Sequence, residues 1–92
     1  KGVDVLLIGT NDLAMEMGHP GEVGRPEVAS AYERVIAACR QHGKWPGMGG
    51  VYAEELMAKY IAMGMRMILC GNDLGMMMAG ASQRAKFLRE RR

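Results

Sequence analysis

Two short apolar runs, each closed by a glycine, constrain this chain most: Val3 to Ile8, "VDVLLI", before Gly9, and Met65 to Cys70, "MRMILC", before Gly71. Near-continuous aliphatic character over so few residues fits a strand buried on both faces, as in a parallel sheet. Asp4 interrupts the first run near its entry, where an exposed strand end tolerates charge. Parallel strands cannot be joined by a tight turn; they need a crossover of a dozen or more residues, usually a helix.

The intervening sequence supplies the helices. In "RPEVASAYERVIAACRQHGK", Pro26 suits the first helical position, Glu27 the positive helix end, and Gly43 the stop. Val28, Tyr32, Val35, Ile36 and Cys39 recur on one face at helical spacing. "AEELMAKYIAMG" reads as a second helix, with Leu56, Met57, Tyr60 and Ile61 on its apolar face and Gly64 at its end. A final helix is expected to begin near Asp73 and to carry Leu74, Met77, Met78, Ala81, Ala85 and Leu88 inward. Between the first strand and the first long helix, "NDLAMEMGHPGEVGRP" reads as a short helical turn followed by a loop. "KWPGMGGV" reads as a loop or a very short strand, because Pro46 and its glycines oppose a regular one.

The order strand, helix, weak strand, helix, strand, helix is that of parallel β/α units with right-handed crossovers. A (β/α)8 barrel takes about 250 residues, and three-eighths of that is roughly the length here. The fold class expected is therefore α/β, the C-terminal three β/α units of a (β/α)8 TIM barrel, with residues 1–92 forming a C-terminal fragment of that domain. An open three-stranded α/β domain is the alternative. The start on Lys1, with a strand almost at once, also suggests a piece of something longer.

Bulk properties exclude several function classes. A net charge of +2 is too small to argue for nucleic acid or an anionic membrane surface. The basic end, "RAKFLRERR", reads as a solvated helix terminus, where cations suit the dipole. No apolar run approaches the ~20 residues a membrane span needs, and no signal peptide is visible. Cys39 and Cys70 lack metal-type spacing, so reduced thiols in a cytoplasmic protein are expected. The ten Met read as packing, since no His or Cys clusters accompany them.

Functional groups in parallel β/α folds collect beyond the carboxyl ends of the strands. Two similar turns stand there: Gly9-Thr10-Asn11-Asp12-Leu13 and Gly71-Asn72-Asp73-Leu74. Exposed amides at Thr10, Asn11 and Asp12 could cradle a carboxylate, and the Asp12 carboxylate could hold a hard divalent cation. Spacing alone favours reading each Asp as a helix N-cap. His19, in a Pro/Gly loop, reads as exposed, and His42 suits a helix C-terminus. Ser30 and Ser82 fall mid-helix without a base partner, so nucleophilic catalysis has no support.

"VDVLLIGTNDLAMEMGHPGEVGRPEV" resembles the C-terminal part of the HpcH/HpaI aldolases, class II metal-dependent pyruvate aldolases. The resemblance runs in order through "CRQHGK", "PGMGGV" and "GMRMILCGNDLGMMMAGA", nearly the whole chain. It implies retro-aldol cleavage of a 4-hydroxy-2-oxo acid to pyruvate and an aldehyde. The implied cofactor is a divalent metal, Mg²⁺, Mn²⁺ or Co²⁺. It also implies a small-molecule 2-oxo acid as partner, with neither nucleic acid nor membrane, and a homo-oligomer, commonly a hexamer, in the full-length protein.

On the same resemblance, Asp12 is a metal ligand, and Gly9, Thr10, Asn11 and Asp12 form the turn that binds the substrate carboxylate. Many members carry Pro where Thr10 stands; the backbone amides would remain available. The family's partner Glu ligand, its enolate-stabilising Arg and its His lie earlier in the family sequence and have no counterpart here. No catalytic residue is therefore expected in this chain, and the isolated chain is expected to be inactive. Asp73 is expected to cap a helix. The alternatives are an acyl-CoA or citramalyl-type lyase of the same superfamily, and a non-catalytic β/α module.

Overall fold

The computed structural model describes residues 1–91. The elements run β1 (Val5–Gly9), α1 (Thr10–Glu16), α2 (Pro26–His42), β2 (Trp45–Gly49), α3 (Glu54–Met63), β3 (Met67–Ile68) and α4 (Asp73–Arg89). The three strands form one parallel sheet in the order β1-β2-β3. The α/β alternation expected from the apolar runs is the architecture observed.

The helix boundaries follow their local signals. Pro26 is the first residue of α2, and Gly43 closes it in the left-handed conformation, its amide bonded to the Cys39 carbonyl. Of the stripe expected on α2, Val28, Tyr32, Ile36 and Cys39 are buried. On α3, Tyr60 is buried, Leu56 and Met57 pack against the core, and Ile61 is exposed instead.

"KWPGMGGV" departs from expectation: Trp45–Gly49 is the central strand, paired on both sides and mostly buried. Pro46 fits because it lies near the strand's entry. Its carbonyl accepts from the Arg66 amide at 3.0 Å, and the donor it lacks would face sequence preceding β3, where no ladder has begun. The glycines are there for closeness. A Cβ on Gly47 would lie 3.0 Å from the Met67 carbonyl oxygen, and one on Gly49 would lie 2.9 Å from Leu69 Cδ1.

Only one face of the sheet is covered, which corrects the expectation that β1 and the Met65–Cys70 run are buried on both faces. Ile8, Met48 and Ile68 share one rung and belong to the core with Ala14, Val28, Tyr32, Ile36, Val51, Tyr60 and Met65. Strand alternation turns the neighbouring rung, Leu7, Gly47 and Met67, to the opposite side. There Leu7 and Met67 remain 41% and 45% exposed. β3 itself is only Met67–Ile68, with Leu69 and Cys70 exposed beyond it.

The last helix also differs from expectation. None of its residues is buried, and Leu74, Met77, Met78 and Leu88 are exposed rather than inward. Leu74, Met77, Met78, Ala81, Ala85 and Leu88 keep helical spacing, but among the described residues none of them joins the core. The basic terminus is exposed where described, with Arg92 outside the described residues.

Two tyrosines tie the layers together. Tyr32 of α2 and Tyr60 of α3 are both fully buried, their ring centroids 4.2 Å apart and tilted by 40°. Such pairs are worth about 0.5–1.5 kcal/mol beyond the area they bury. Tyr60 Oη donates to the Val23 carbonyl at 2.8 Å, pinning the loop between α1 and α2.

Candidate functional site

The carboxyl ends of β1 and β2 open into a shallow cavity of about 330 Å³. It is lined by Gly9 at the end of β1 with Thr10, Asn11 and Asp12 after it, by Gly49 at the end of β2 with Gly50 and Tyr52 after it, and by Leu7 and Leu69. All four residues singled out in the first turn thus lie together at one concavity.

Local geometry shapes that turn. Gly9 precedes α1 as its N-cap with φ −78° and ψ 91°, and no side chain caps the helix. The first amides of a helix have no intrahelical acceptor, and of this opening turn Thr10 is buried while Asn11 and Asp12 are exposed. Asp12 lies within that first turn but does not cap it. Its Oδ2 lies 3.3 Å from where a Gly9 Cβ would stand, so the carboxylate folds back over the strand end. It is exposed and makes no hydrogen bond or ion pair among the described residues. Of the two roles that spacing left open for Asp12, capping is not the one realised.

Thr10 is split between two environments. It borders the cavity, yet the residue is fully buried. Its Oγ1 lies 2.5 Å from Tyr32 Oη and 3.5 Å from the Ile8 carbonyl oxygen. Burial raises the Tyr32 phenol above its ordinary range; the Thr10 hydroxyl pulls the other way and neighbouring Tyr60 adds to the rise. Tyr32 is therefore neutral at ordinary pH.

Asn11 reaches across to the second turn, its Nδ2 3.5 Å from the Gly50 carbonyl oxygen. Gly50 has φ +83°, and a Cβ there would lie 2.7 Å from Asn11 Nδ2. The conformation favours glycine, and a side chain there would displace the Asn11 amide group. Gly49, Gly50 and Tyr52 were not singled out in the sequence. Only the "GGVY" immediately after a strand could have drawn attention to them.

The echo turn behaves differently. Asn72, not Asp73, caps α4, its Oδ1 accepting from the Gly75 amide at 2.6 Å. This corrects the expectation for Asp73, which sits one residue inside the helix and accepts from the Leu74 amide at 2.8 Å. The turn borders its own cavity of about 270 Å³, and Tyr52 lines both cavities. The two turns therefore share one end of the sheet.

The other candidates lie elsewhere. His19 Nδ1 is 3.5 Å from Glu22 Oε2, and His42 is in the last turn of α2. Neither they nor Ser30 and Ser82 border the strand-end cavity. Cys39 and Cys70 are free thiols, the first buried and the second exposed. Among the described residues no group of three or more His, Cys, Asp or Glu could hold a metal ion, and no helix is long and apolar enough to cross a membrane. The Asp12 carboxylate has the chemistry of one ligand in a shell of hard oxygens.

An unengaged carboxylate thus lies at the strand ends of a parallel β/α sheet, where ligand sites of such folds collect. The family model for HpcH/HpaI aldolase/citrate lyase matches residues 1–79, and the chain belongs to that family. It is 41% identical over 81 residues to a 4-hydroxy-2-oxo-heptane-1,7-dioate aldolase of Klebsiella pneumoniae, covering 87% of this chain and 30% of that protein. It is 37% identical over 85 residues to a 4-hydroxy-4-methyl-2-oxoglutarate aldolase of Hapsidospora irregularis, covering 90% of this chain and 32% of the relative. The crystal structure of an HpcH/HpaI aldolase/citrate lyase family protein from Burkholderia cenocepacia superposes with TM-score 0.85 at 32% identity, covering 96% of this chain and 34% of that one. A citrate synthase structure at 23% identity and TM-score 0.80 shares the fold. The chain spans about a third of the length of the curated relatives it matches.

Proposed function

We propose that this chain forms the C-terminal three β/α units of a (β/α)8 barrel whose intact form cleaves 4-hydroxy-2-oxo acids to pyruvate and an aldehyde. The observation that carries this is Asp12: an exposed carboxylate without internal partners, held over Gly9 in the strand-end cavity. The half-open sheet supports it too. Leu7 and Met67 line a face with no cover in this chain, as barrel-interior positions would without the other strands. The relatives named as aldolases of hydroxy-oxo acids support the substrate class.

In the cleavage, the C4 hydroxyl loses its proton, the C3–C4 bond breaks, and the aldehyde departs. The bond's electron pair remains as the enolate of pyruvate, which then takes a proton at C3. The amides of Asn11 and Asp12 hold the substrate carboxylate and so fix the direction in which its carbonyl points. Asp12 contributes one anionic oxygen ligand. A divalent cation (Mg²⁺, Mn²⁺ or Co²⁺), when bound, supplies the Lewis acidity that stabilises enolate charge. The proton-accepting and charge-neutralising groups belong to the rest of the barrel.

Full assembly also involves a second copy. Leu74, Met76, Met77, Met78, Phe87 and Leu88 leave α4 apolar on several sides, which suits a contact between subunits of a homo-oligomer. Mass measurement in solution on the assembled protein tests that point.

The activity is tested by grafting this chain onto the preceding five β/α units of the Klebsiella relative and assaying pyruvate release with Mn²⁺. The chimera is expected to turn over, the isolated chain to be inactive, and Asp12→Asn in the chimera to abolish cleavage without unfolding it. Activity surviving Asp12→Asn would contradict the assignment.

A further inference from the structure

The cavity turn carries a feature its function as a carboxylate cradle does not explain. Thr10 borders the cavity yet is fully buried, its hydroxyl in the core against Tyr32 Oη at 2.5 Å. The protons have one arrangement that leaves no hydrogen without an acceptor. Tyr32 donates to Thr10 Oγ1, and Thr10 donates to the Ile8 carbonyl, 3.5 Å away on the strand it has just left. Tyr32 cannot easily shift, because its ring is buried against Tyr60, which is itself pinned to the Val23 carbonyl. A fixed phenol on α2 thus holds the first residue of α1 by its side chain. Holding the Thr10 side chain restricts the backbone at its Cα, and the peptide that follows carries the Asn11 amide.

We propose that Tyr32 is a positioning residue for 2-oxo-acid binding, acting through the Thr10 hydroxyl to aim the Asn11 amide. It touches no substrate. The proposal rests on the oxo-acid function given above and goes beyond it, since it assigns a role to a helix residue remote from the cavity rim. The arrangement accounts for a threonine at the turn: a residue without a hydroxyl would leave the buried phenol unpaired. It also makes oxo-acid affinity depend on the packing of α2 against the sheet.

The test is a pyruvate titration of the ¹⁵N-labelled chain, following the amide signals of Thr10, Asn11 and Asp12, with thermal unfolding measured in parallel. Wild type should show saturable shifts confined to residues of the strand-end cavity. Tyr32→Phe should weaken pyruvate binding about tenfold, as loss of an outer partner does at other sites. Thr10→Val, close to isosteric, should match it and serves if Tyr32→Phe does not fold. Thr10→Ser keeps the hydroxyl and should bind as wild type does. The double variant Thr10→Val/Tyr32→Phe should bind no worse than either single one, because both remove the same link. A purely structural pair would lower the unfolding temperature and leave pyruvate affinity of the folded chain unchanged; that outcome overturns the proposal while sparing the oxo-acid site. Absence of shifts at Thr10–Asp12 in wild type overturns both.

Discussion

The Asp12 carboxylate rests over Gly9, with Oδ2 3.3 Å from the position a Gly9 Cβ would occupy. Gly9 has φ −78°, which alanine adopts without strain. Gly9→Ala should therefore fold with a stability change within about 0.5 kcal/mol. The added methyl would push the carboxylate aside, and Mn²⁺ affinity should fall about tenfold, the lower end of outer-partner effects. Chemical denaturation and a Mn²⁺ titration by electron paramagnetic resonance separate the two effects.

Gly50→Ala is expected to behave in the opposite way. Its φ of +83° and the 2.7 Å approach to Asn11 Nδ2 oppose any side chain. The strained backbone and the overlap together should cost about 1–3 kcal/mol. Urea unfolding checks the magnitude, and the Asn11 amide signal should move most.

The echo turn gives a pair of contrasting substitutions. Asn72→Ala removes the α4 cap and should cost about 0.5–2 kcal/mol, read as fraying of the first turn by hydrogen exchange. Asp73→Asn should be mild, because the amide oxygen can still accept from Leu74.

Alkaline stability follows from the buried phenols. Burial raises Tyr32 and Tyr60 above the ordinary tyrosine value of 10.0. Above pH 10 the unfolded chain releases those protons while the folded chain keeps them. Stability should be flat below about pH 10 and fall as pH rises beyond it. Denaturation midpoints across pH 8 to 11 should show the decline, and Tyr32→Phe should reduce its slope.

The parts of the fold legible in the sequence were those governed by local chemistry. Pro26, Glu27 and Gly43 delimit α2 through their own backbone preferences, and its buried face follows from helical spacing. β2 was obscured because Pro46, Gly47 and Gly49 look unfit for a strand until their neighbours are known; the close approach of Met67 and Leu69 is what selects the glycines. α4 misled because an apolar composition does not say which surface covers it. At the site, the Asp12 turn was recognisable from its family motif, whereas spacing alone favoured a helix cap, which the structure gives to Gly9 instead. Gly50 and Tyr52 join it only through the parallel register, which brings β1 and β2 to a common end.

The central claim is that the Gly9–Asp12 turn is a metal and oxo-acid half-site. Paramagnetic broadening of amide signals by Mn²⁺ on the isolated chain tests it most directly. Broadening should centre on Gly9 to Asp12, extend to Gly49, Gly50 and Tyr52, and vanish in a folded Asp12→Asn variant. Broadening centred on another carboxylate pair, such as Glu54 and Glu55, or persisting at the turn in Asp12→Asn, would contradict it.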